Sequence, residues 1–266
     1  VCNQHKFSDY ADYLHENLPA QAELDLQREK PLNPAPLVSV AIACSGASRA
    51  AVLSTLEALG KQTYANFEVC VVSELAQAGL TDYEGIPKFR LVLFNGTAHE
   101  QLKAAEKMLN GAYFLQLLPG DLPAPDALHM LVLQTHANPE AEVVFADEDS
   151  VIDGIRQNPI FKPDYGRDTL RSFNSIGRPM LVSKRVHTAV GGFRGSTPAE
   201  LWAYCIDCAS AAKQVIHIAR IGLTVIRDCD GSEIPCTDIL KREFNSLYPG
   251  DGSGKKNRTN GYCFEG

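Results

Sequence analysis

The sequence lacks most of what would mark a membrane-spanning, nucleic-acid-binding or disulfide-stapled protein. No apolar run approaches the ~20 residues needed to cross a bilayer, and the opening residues, Val-Cys-Asn-Gln-His-Lys, do not carry the apolar stretch of a secretory signal. A chain that opens on Val rather than Met is expected to be an excised or processed segment. Positive charge is not in excess: 25 Lys and Arg stand against 32 Asp and Glu, a formal charge of −7, so no basic footprint for phosphate backbones exists and a nucleic-acid partner is excluded. Cysteine is sparse, with 8 scattered over 266 residues, which predicts reduced thiols. Cys205-x-x-Cys208 lacks a second short couple, because Cys229 and Cys236 lie too far apart, so these thiols read as small buried apolar residues and not as a zinc site. Internal repeats and low-complexity tracts are also missing.

What is present is an ordinary globular composition, 45% apolar and 21% charged, enough for one large core with appendages. Residues 1–36 form a polar, helix-leaning arm, with Tyr10, Tyr13 and Leu14 spaced for one helical face, and end in the linker Lys30-Pro-Leu-Asn-Pro-Ala-Pro36. From residue 37 near-continuous apolar strands alternate with amphipathic helices. Strands are expected at Leu37–Cys44, Phe67–Val72, Arg90–Phe94, Tyr113–Leu118 and Glu142–Phe145, and helices at Ala51–Leu59, Glu100–Met108 and Pro125–His136. This pattern predicts an α/β fold with an open, mostly parallel sheet flanked by helices on both faces. After Ala146 an irregular acidic stretch is expected through Tyr165, then a strand at Met180–Val182, a helix at Pro198–Ala212 and two short strands at Val215–Ile218 and Leu223–Ile226. Residues 37–227 thus form the core, and 228–266, rich in glycine and charge, a C-terminal extension.

Ligands of such sheets lie beyond the carboxyl ends of the strands. Those loops are Ser45-Gly-Ala-Ser-Arg49, Ser73-Glu74, Pro119-Gly-Asp121 and Asp147-Glu-Asp149. None has the glycine pattern of a dinucleotide or nucleoside-triphosphate cradle. Carboxylates at strand ends can hold a divalent cation that bridges a diphosphate; alternatively Asp121 or Asp126 caps the following helix.

Several segments, in order, carry a resemblance to bacterial family-2 glycosyltransferase domains of the GT-A fold, especially the tandem-domain kind that builds surface polysaccharides. They are Tyr10–Glu23 with Pro36-Leu-Val-Ser-Val-Ala-Ile42, Leu56-Glu-Ala-Leu-Gly-Lys-Gln-Thr-Tyr-Ala-Asn-Phe-Glu68, Pro125-Asp-Ala-Leu128, Phe145-Ala-Asp-Glu-Asp149, Phe161-Lys-Pro-Asp164, Gly191-Gly-Phe193 and Ile216-His-Ile218.

The resemblance implies an inverting transfer of sugar from a UDP- or dTDP-linked donor to a glycan acceptor, by a cytoplasmic domain at the inner face of the membrane, beside further transferase domains in a longer chain. It places the nucleotide at Ala43, Ser45, Ser73, Glu74 and Arg227, a Mg²⁺ or Mn²⁺ ion at Asp121, the general base at Glu200, and the acceptor side at Asp147, Glu148 and Asp149. His217 is expected to pack beneath the sheet.

The chain departs from that pattern where the chemistry would sit. Ser73-Glu74 stands where paired aspartates are expected, Leu118-Pro-Gly-Asp121 where the metal stretch is expected, and Glu200-Leu-Trp-Ala-Tyr204 where the base stretch is expected. Each keeps a single carboxylate. The alternative implied is a degenerate GT-A domain that binds or scaffolds beside an active one, with Glu200 an ordinary first-turn helix residue.

Overall fold

The computed structural model describes residues 5–74, 86 and 88–227. The core begins with β1 (Val38–Ala43) and β2 (Phe67–Ser73), both buried along their whole length, which is why they read as unbroken apolar runs. Two of their polar members are paired with each other: Ser39 Oγ donates to Glu68 Oε1 at 2.7 Å, and Arg90 Nη1 donates to Glu68 Oε2 at 2.6 Å.

Between and after these strands come α3 (Arg49–Gly60), β3 (Phe89–Leu93), α4 (Ala98–Glu106), β4 (Tyr113–Leu117), β5 (Asp121–Pro123) and α5 (Ala127–Ala137). Ser48 caps α3 by accepting from the Ala51 N–H, and Thr97 with Glu100 forms a capping box at α4. Further on lie β6 (Ala141–Ile152), β7 (Ile155–Ile160), α6 (Arg167–Ser172), β8 (Met180–Ser183), α7 (Lys184–Ala189), α8 (Pro198–Ala211) and β9 (Gln214–Ile226).

The strands form one sheet in the order β3-β2-β1-β4-β8-β6-β9-β5, with β7 paired to β6. β1 to β4 run parallel; β8 runs against both β4 and β6, and β9 runs with β6. The main direction is therefore shared by β1, β2, β3, β4, β6 and β9, as the open mostly parallel sheet requires. Leu56 and Leu59 of α3 and Leu128 and Leu131 of α5 cover one face, against Val40, Ile42, Val69 and Val71. Leu102 and Ala105 of α4 and Tyr204, Cys205 and Cys208 of α8 cover the other, against Ala41, Cys70 and Val72. Cys205 and Cys208 are thus core residues, and burial pushes the Cys205 thiol up to about 12; Cys229 and Cys236 lie outside the described residues.

Two stretches differ from the sequence expectation. Residues 147–160 are not irregular: β6 runs on through Asp147, Glu148 and Asp149 and returns as β7 through the turn Asp153-Gly154, whose φ values of 52° and 77° are those of a tight hairpin. The acidic triplet therefore lies within a strand and not in a loop after one. The two short strands expected after residue 214 are one 13-residue strand, β9. Its register against β6 jumps from Ala146↔Ile218 to Asp147↔Ile221, and the extra residues let Arg220 turn aside to pair with Asp126 at 2.5 Å. That pairing also displaces the expected helix cap, since Asp126 at the start of α5 makes no cap hydrogen bond.

The arm comprises α1 (His5–Asn17) and α2 (Gln21–Glu29), both docked on the core. Thr63 Oγ1 donates to Gln27 Oε1 at 2.6 Å, Tyr10 OH to Asp149 Oδ2 at 2.6 Å, and the Tyr13 ring meets Phe161 edge-on with centroids 5.0 Å apart. The C-terminal extension, 228–266, lies outside the described residues.

Candidate functional site

The chain leaves β1 toward β2 and β3 on one side and returns to place β4 on the other, so the sheet has its switch point between β1 and β4. The crevice beyond their carboxyl ends is where an open α/β sheet takes its ligand. Three loops meet there: 44–48 after β1, 73–74 after β2 and 118–121 after β4.

In the first loop Ala43 is 4% exposed and packs in the core with Leu102, so it offers only backbone to a ligand. The Cys44 N–H donates to both Val72 O and Gln101 Oε1 at 2.9 Å, and burial pushes its thiol up to about 12, leaving it unreactive. Ser45 is exposed, beside Gly46 at φ +71°, where the chain turns into α3. In the second loop Ser73 is buried, with Oγ donating to Glu74 O at 3.4 Å, and Glu74 is half-buried; residues 75–85 of that loop lie outside the described set.

The third loop is the most tightly built. Gly120, at φ +92°, donates its N–H to Thr55 Oγ1 at 3.0 Å. Asp121 is 1% exposed and folds its carboxylate back, Oδ2 accepting the Leu118 N–H at 2.8 Å. The same carboxylate faces Arg178: Nη2 donates to Oδ1 at 3.0 Å, and Nε lies 2.9 Å from Oδ2. Burial pushes the Asp121 carboxyl up against the pull of Arg178. Beyond this turn, the Ile226 N–H donates to Gly120 O at 3.0 Å, which sets Arg227 beside it. Arg227 Nε is buried without a hydrogen-bond partner among the described residues.

Arg178 extends the site to the acidic triplet. Its backbone N–H donates to Glu148 Oε2 at 3.1 Å, and its carbonyl accepts from Lys162 Nζ at 2.6 Å. Lys162, which burial pushes down in pKa against the pull of Glu148, also donates to Glu148 Oε2 at 3.1 Å. Asp147 Oδ1 accepts the Lys162 N–H at 2.9 Å and lies 2.8 Å from His217 Nε2. His217 is buried as expected, stacked on Phe145 with centroids 4.9 Å apart, and its Nδ1 lies 3.2 Å from Asp164. Asp149 faces elsewhere, toward Tyr10 and Arg156 Nε at 2.8 Å. The triplet is thus not an open acidic patch but three carboxylates each bound to partners from other segments.

Glu200 is the third residue of α8. Its Oε2 accepts from the N–H groups of Ser196 (3.1 Å) and Thr197 (3.0 Å) and from Thr197 Oγ1 (2.9 Å), a capping box. The loop before α8 reaches the crevice, since Gln116 Nε2 of β4 donates to Gly195 O at 2.7 Å. The structure therefore gathers Asp121, Glu148 and Asp147 into one connected network, sets Arg227 beside the 118–121 turn without a side-chain bond to that network, places Ser45, Ser73, Glu74 and Glu200 on the loops and helix start around it, and turns the Ala43 side chain and Asp149 away from it. Arg178, which joins the network, carries no motif of its own in the sequence, and Lys162 lies in the Phe161–Asp164 segment, which the sequence does not mark as part of a site.

A divalent cation does not fit these residues. Among the described residues no three His, Cys, Asp or Glu side chains converge, and the one carboxylate at the expected position is already neutralised by a guanidinium. A cavity of about 330 Å³ lies elsewhere, between α2 and α5, lined by Leu26, His129 and Leu133 among others, and holds none of the sequence-predicted site residues.

No protein-family profile matches the chain. It is 30% identical over 199 residues to the uncharacterized protein y4gI of Sinorhizobium fredii (strain NBRC 101917 / NGR234), covering 70% of this chain and 22% of that one. It is 25% identical over 223 residues to the O-antigen biosynthesis protein RfbC of Myxococcus xanthus, covering 80% of this chain and 18% of that one. The chain thus spans about a fifth of the length of the curated relatives it matches. Among solved structures, S. aureus TarS residues 1–349 in complex with UDP-GlcNAc superposes with a TM-score of 0.58 at 14% identity, over 71% of this chain and 58% of that one. The mannosyltransferase PcManGT of Pyrobaculum calidifontis, in complex with GDP-Man and Mn²⁺, superposes with a TM-score of 0.50 at 17% identity, over 77% and 62%. The fold is that of GT-A glycosyltransferases.

Proposed function

We propose that the chain is a nucleotide-sugar glycosyltransferase domain that passes a sugar, with inversion, from a UDP- or dTDP-linked donor to a growing surface polysaccharide or lipopolysaccharide. The observation that carries the reading is the convergence of the 44–48, 73–74 and 118–121 loops at the switch point of a GT-A sheet. The UDP-GlcNAc and GDP-Man held by the two solved neighbours, and the O-antigen role in the name of RfbC, support it. So do the ordered family-2-like segments of the sequence. That the chain spans about a fifth of its curated relatives supports a domain that works beside others. No described helix is long and apolar enough to cross a membrane, and we place the domain in the cytoplasm, at the inner membrane face where such glycans grow.

In this reading the loop after β1 and the residues Ser73 and Glu74 hold the nucleoside, and the 118–121 turn meets the diphosphate. Glu200 takes the proton of the acceptor hydroxyl through Oε1, the oxygen its helix cap does not use. Asp147 and Glu148, held by His217 and Lys162, keep the acceptor side rigid. The Mn²⁺ of the mannosyltransferase neighbour is not carried over to this chain, because Asp121, the one carboxylate at the expected position, is paired with Arg178. Incubating the protein with UDP-, dTDP- and GDP-sugars and a glycan acceptor and following release of nucleoside diphosphate tests the reading; release from one donor is expected, and none from any would contradict it.

A second reading is favoured by one observation: the Asp121 and Glu200 carboxylates are both committed to structural partners. The domain would then bind a nucleotide sugar without transferring it. Binding without turnover, in the presence of a glycan acceptor, is the outcome that selects this reading.

A further inference from the structure

We infer that Arg178 and Arg227 form a guanidinium clamp that holds the donor diphosphate in place of a divalent cation. This rests on the donor reading above and names the group that neutralises the phosphates.

Three observations converge. The first is position. Met180 and Leu181 of β8 pair with Phe145 of β6 and Leu115 of β4, so Arg178, just before them, lies beyond the carboxyl end of β4 and alongside β6, which runs on to Ile152. Val225 pairs with Asp121 and the Ile226 N–H donates to Gly120 O, so Arg227 lies against the same turn. The Arg178 guanidinium, bound to Asp121, and the main chain of Arg227 therefore flank the stretch where the resemblance expects a metal.

The second is anchoring. A metal ion in such a site is fixed by carboxylates; here the Asp121 carboxylate fixes Arg178, and Arg178 is 18% exposed while Asp121 is 1% exposed. The main chain at Arg178 is pinned on both sides, its N–H by Glu148 and its C=O by Lys162. The cation is thus preorganised, which lowers the cost of ordering it on binding.

The third is spare donor capacity. A guanidinium has five N–H donors in a fixed fork that matches phosphate oxygens. Nη2 of Arg178 donates to Asp121, Nε lies 2.9 Å from Asp121 Oδ2 but makes no hydrogen bond, and Nη1 has no partner among the described residues. Arg227 Nε is buried with its donor unused. Glu148 is already paired with Lys162, and Asp147 accepts the Lys162 N–H and lies against His217, so both carboxylates already have partners of their own.

The test is calorimetric titration of the protein with UDP, dTDP and GDP, once with EDTA and once with Mn²⁺. The clamp predicts affinities for the bound nucleotide equal within about twofold in the two buffers, and a loss of about tenfold or more in Arg227→Gln and in the double variant Asp121→Asn/Arg178→Gln. The double variant removes both charges together, so no buried charge is left alone. Binding that appears only with Mn²⁺, or variants that bind as tightly as the parent, would overturn the clamp and leave the donor reading standing. Absence of binding to all three nucleotides in both buffers would overturn the donor reading itself, and the clamp with it.

Discussion

Arg178 presents Nη2 at 3.0 Å and Nε at 2.9 Å to the two carboxylate oxygens of Asp121, so the carboxylate best placed to hold a metal ion already holds a cation. Removing one partner of a buried pair costs more than removing both, because the survivor keeps its desolvation without its compensation. Asp121→Ala is therefore expected to destabilise the fold by about 2–4 kcal/mol, and Asp121→Asn/Arg178→Gln by clearly less. Urea unfolding of the two variants checks this; equal losses would mean that the stranded guanidinium carries no penalty.

Glu200 separates its two roles under conservative substitution. Glutamine keeps an oxygen that can accept from the Ser196 and Thr197 N–H groups, so Glu200→Gln should unfold within about 1 kcal/mol of the parent. A general base cannot be replaced by an amide, and transfer should fall about 10²–10⁴-fold. A Glu200→Gln protein with unchanged turnover would leave the residue as a helix cap alone.

Glu68 makes stability acid-sensitive. Burial pushes its carboxyl up, but the Asn110 N–H, the Ser39 hydroxyl and Arg90 together hold it below the usual glutamate range. A depressed folded pKa gives stability that is fully present above the unfolded value of about 4.3 and is lost as pH falls through the folded one. Glu68→Gln should therefore cost about 2 kcal/mol at pH 7 and flatten the stability curve below about pH 4.3. Denaturation midpoints measured from pH 7 down to pH 3 show the difference; parallel curves for parent and variant would contradict it.

The β6–β7 turn depends on backbone freedom and not on space. Gly154 sits at φ +77° with open space where a Cβ would lie, so Gly154→Ala should cost about 1–2 kcal/mol through conformation alone, and Gly154→Asn less. Thermal melts of the two variants give the order directly.

The parallel half of the sheet was legible in the sequence because double-sided burial writes strands such as Val38–Ala43 and Phe67–Ser73 as unbroken apolar runs. The β6–β7 hairpin was not, because Asp147, Glu148 and Asp149 look like a solvated loop until His217, Lys162, Arg156 and Tyr10 are seen to pair with them. The Asp153-Gly154 dipeptide was the readable sign of that hairpin. β9 looked like two strands because the bulge around Ala219 and Arg220 interrupts its alternation. At the site, Asp121 and Arg227 stood out by motif position. Arg178 did not, since it belongs to no periodic element and meets Asp121 across 57 positions of sequence.

The most direct test of the account is a crystal structure of the protein soaked with UDP, dTDP or GDP in the presence of EDTA. The account predicts a nucleoside beside Ser45, Ser73 and Glu74, with its diphosphate against the guanidinium groups of Arg178 and Arg227 at the 118–121 turn. A nucleotide bound away from the carboxyl ends of β1 and β4, or strand ends that stay empty at saturating nucleotide, would contradict it.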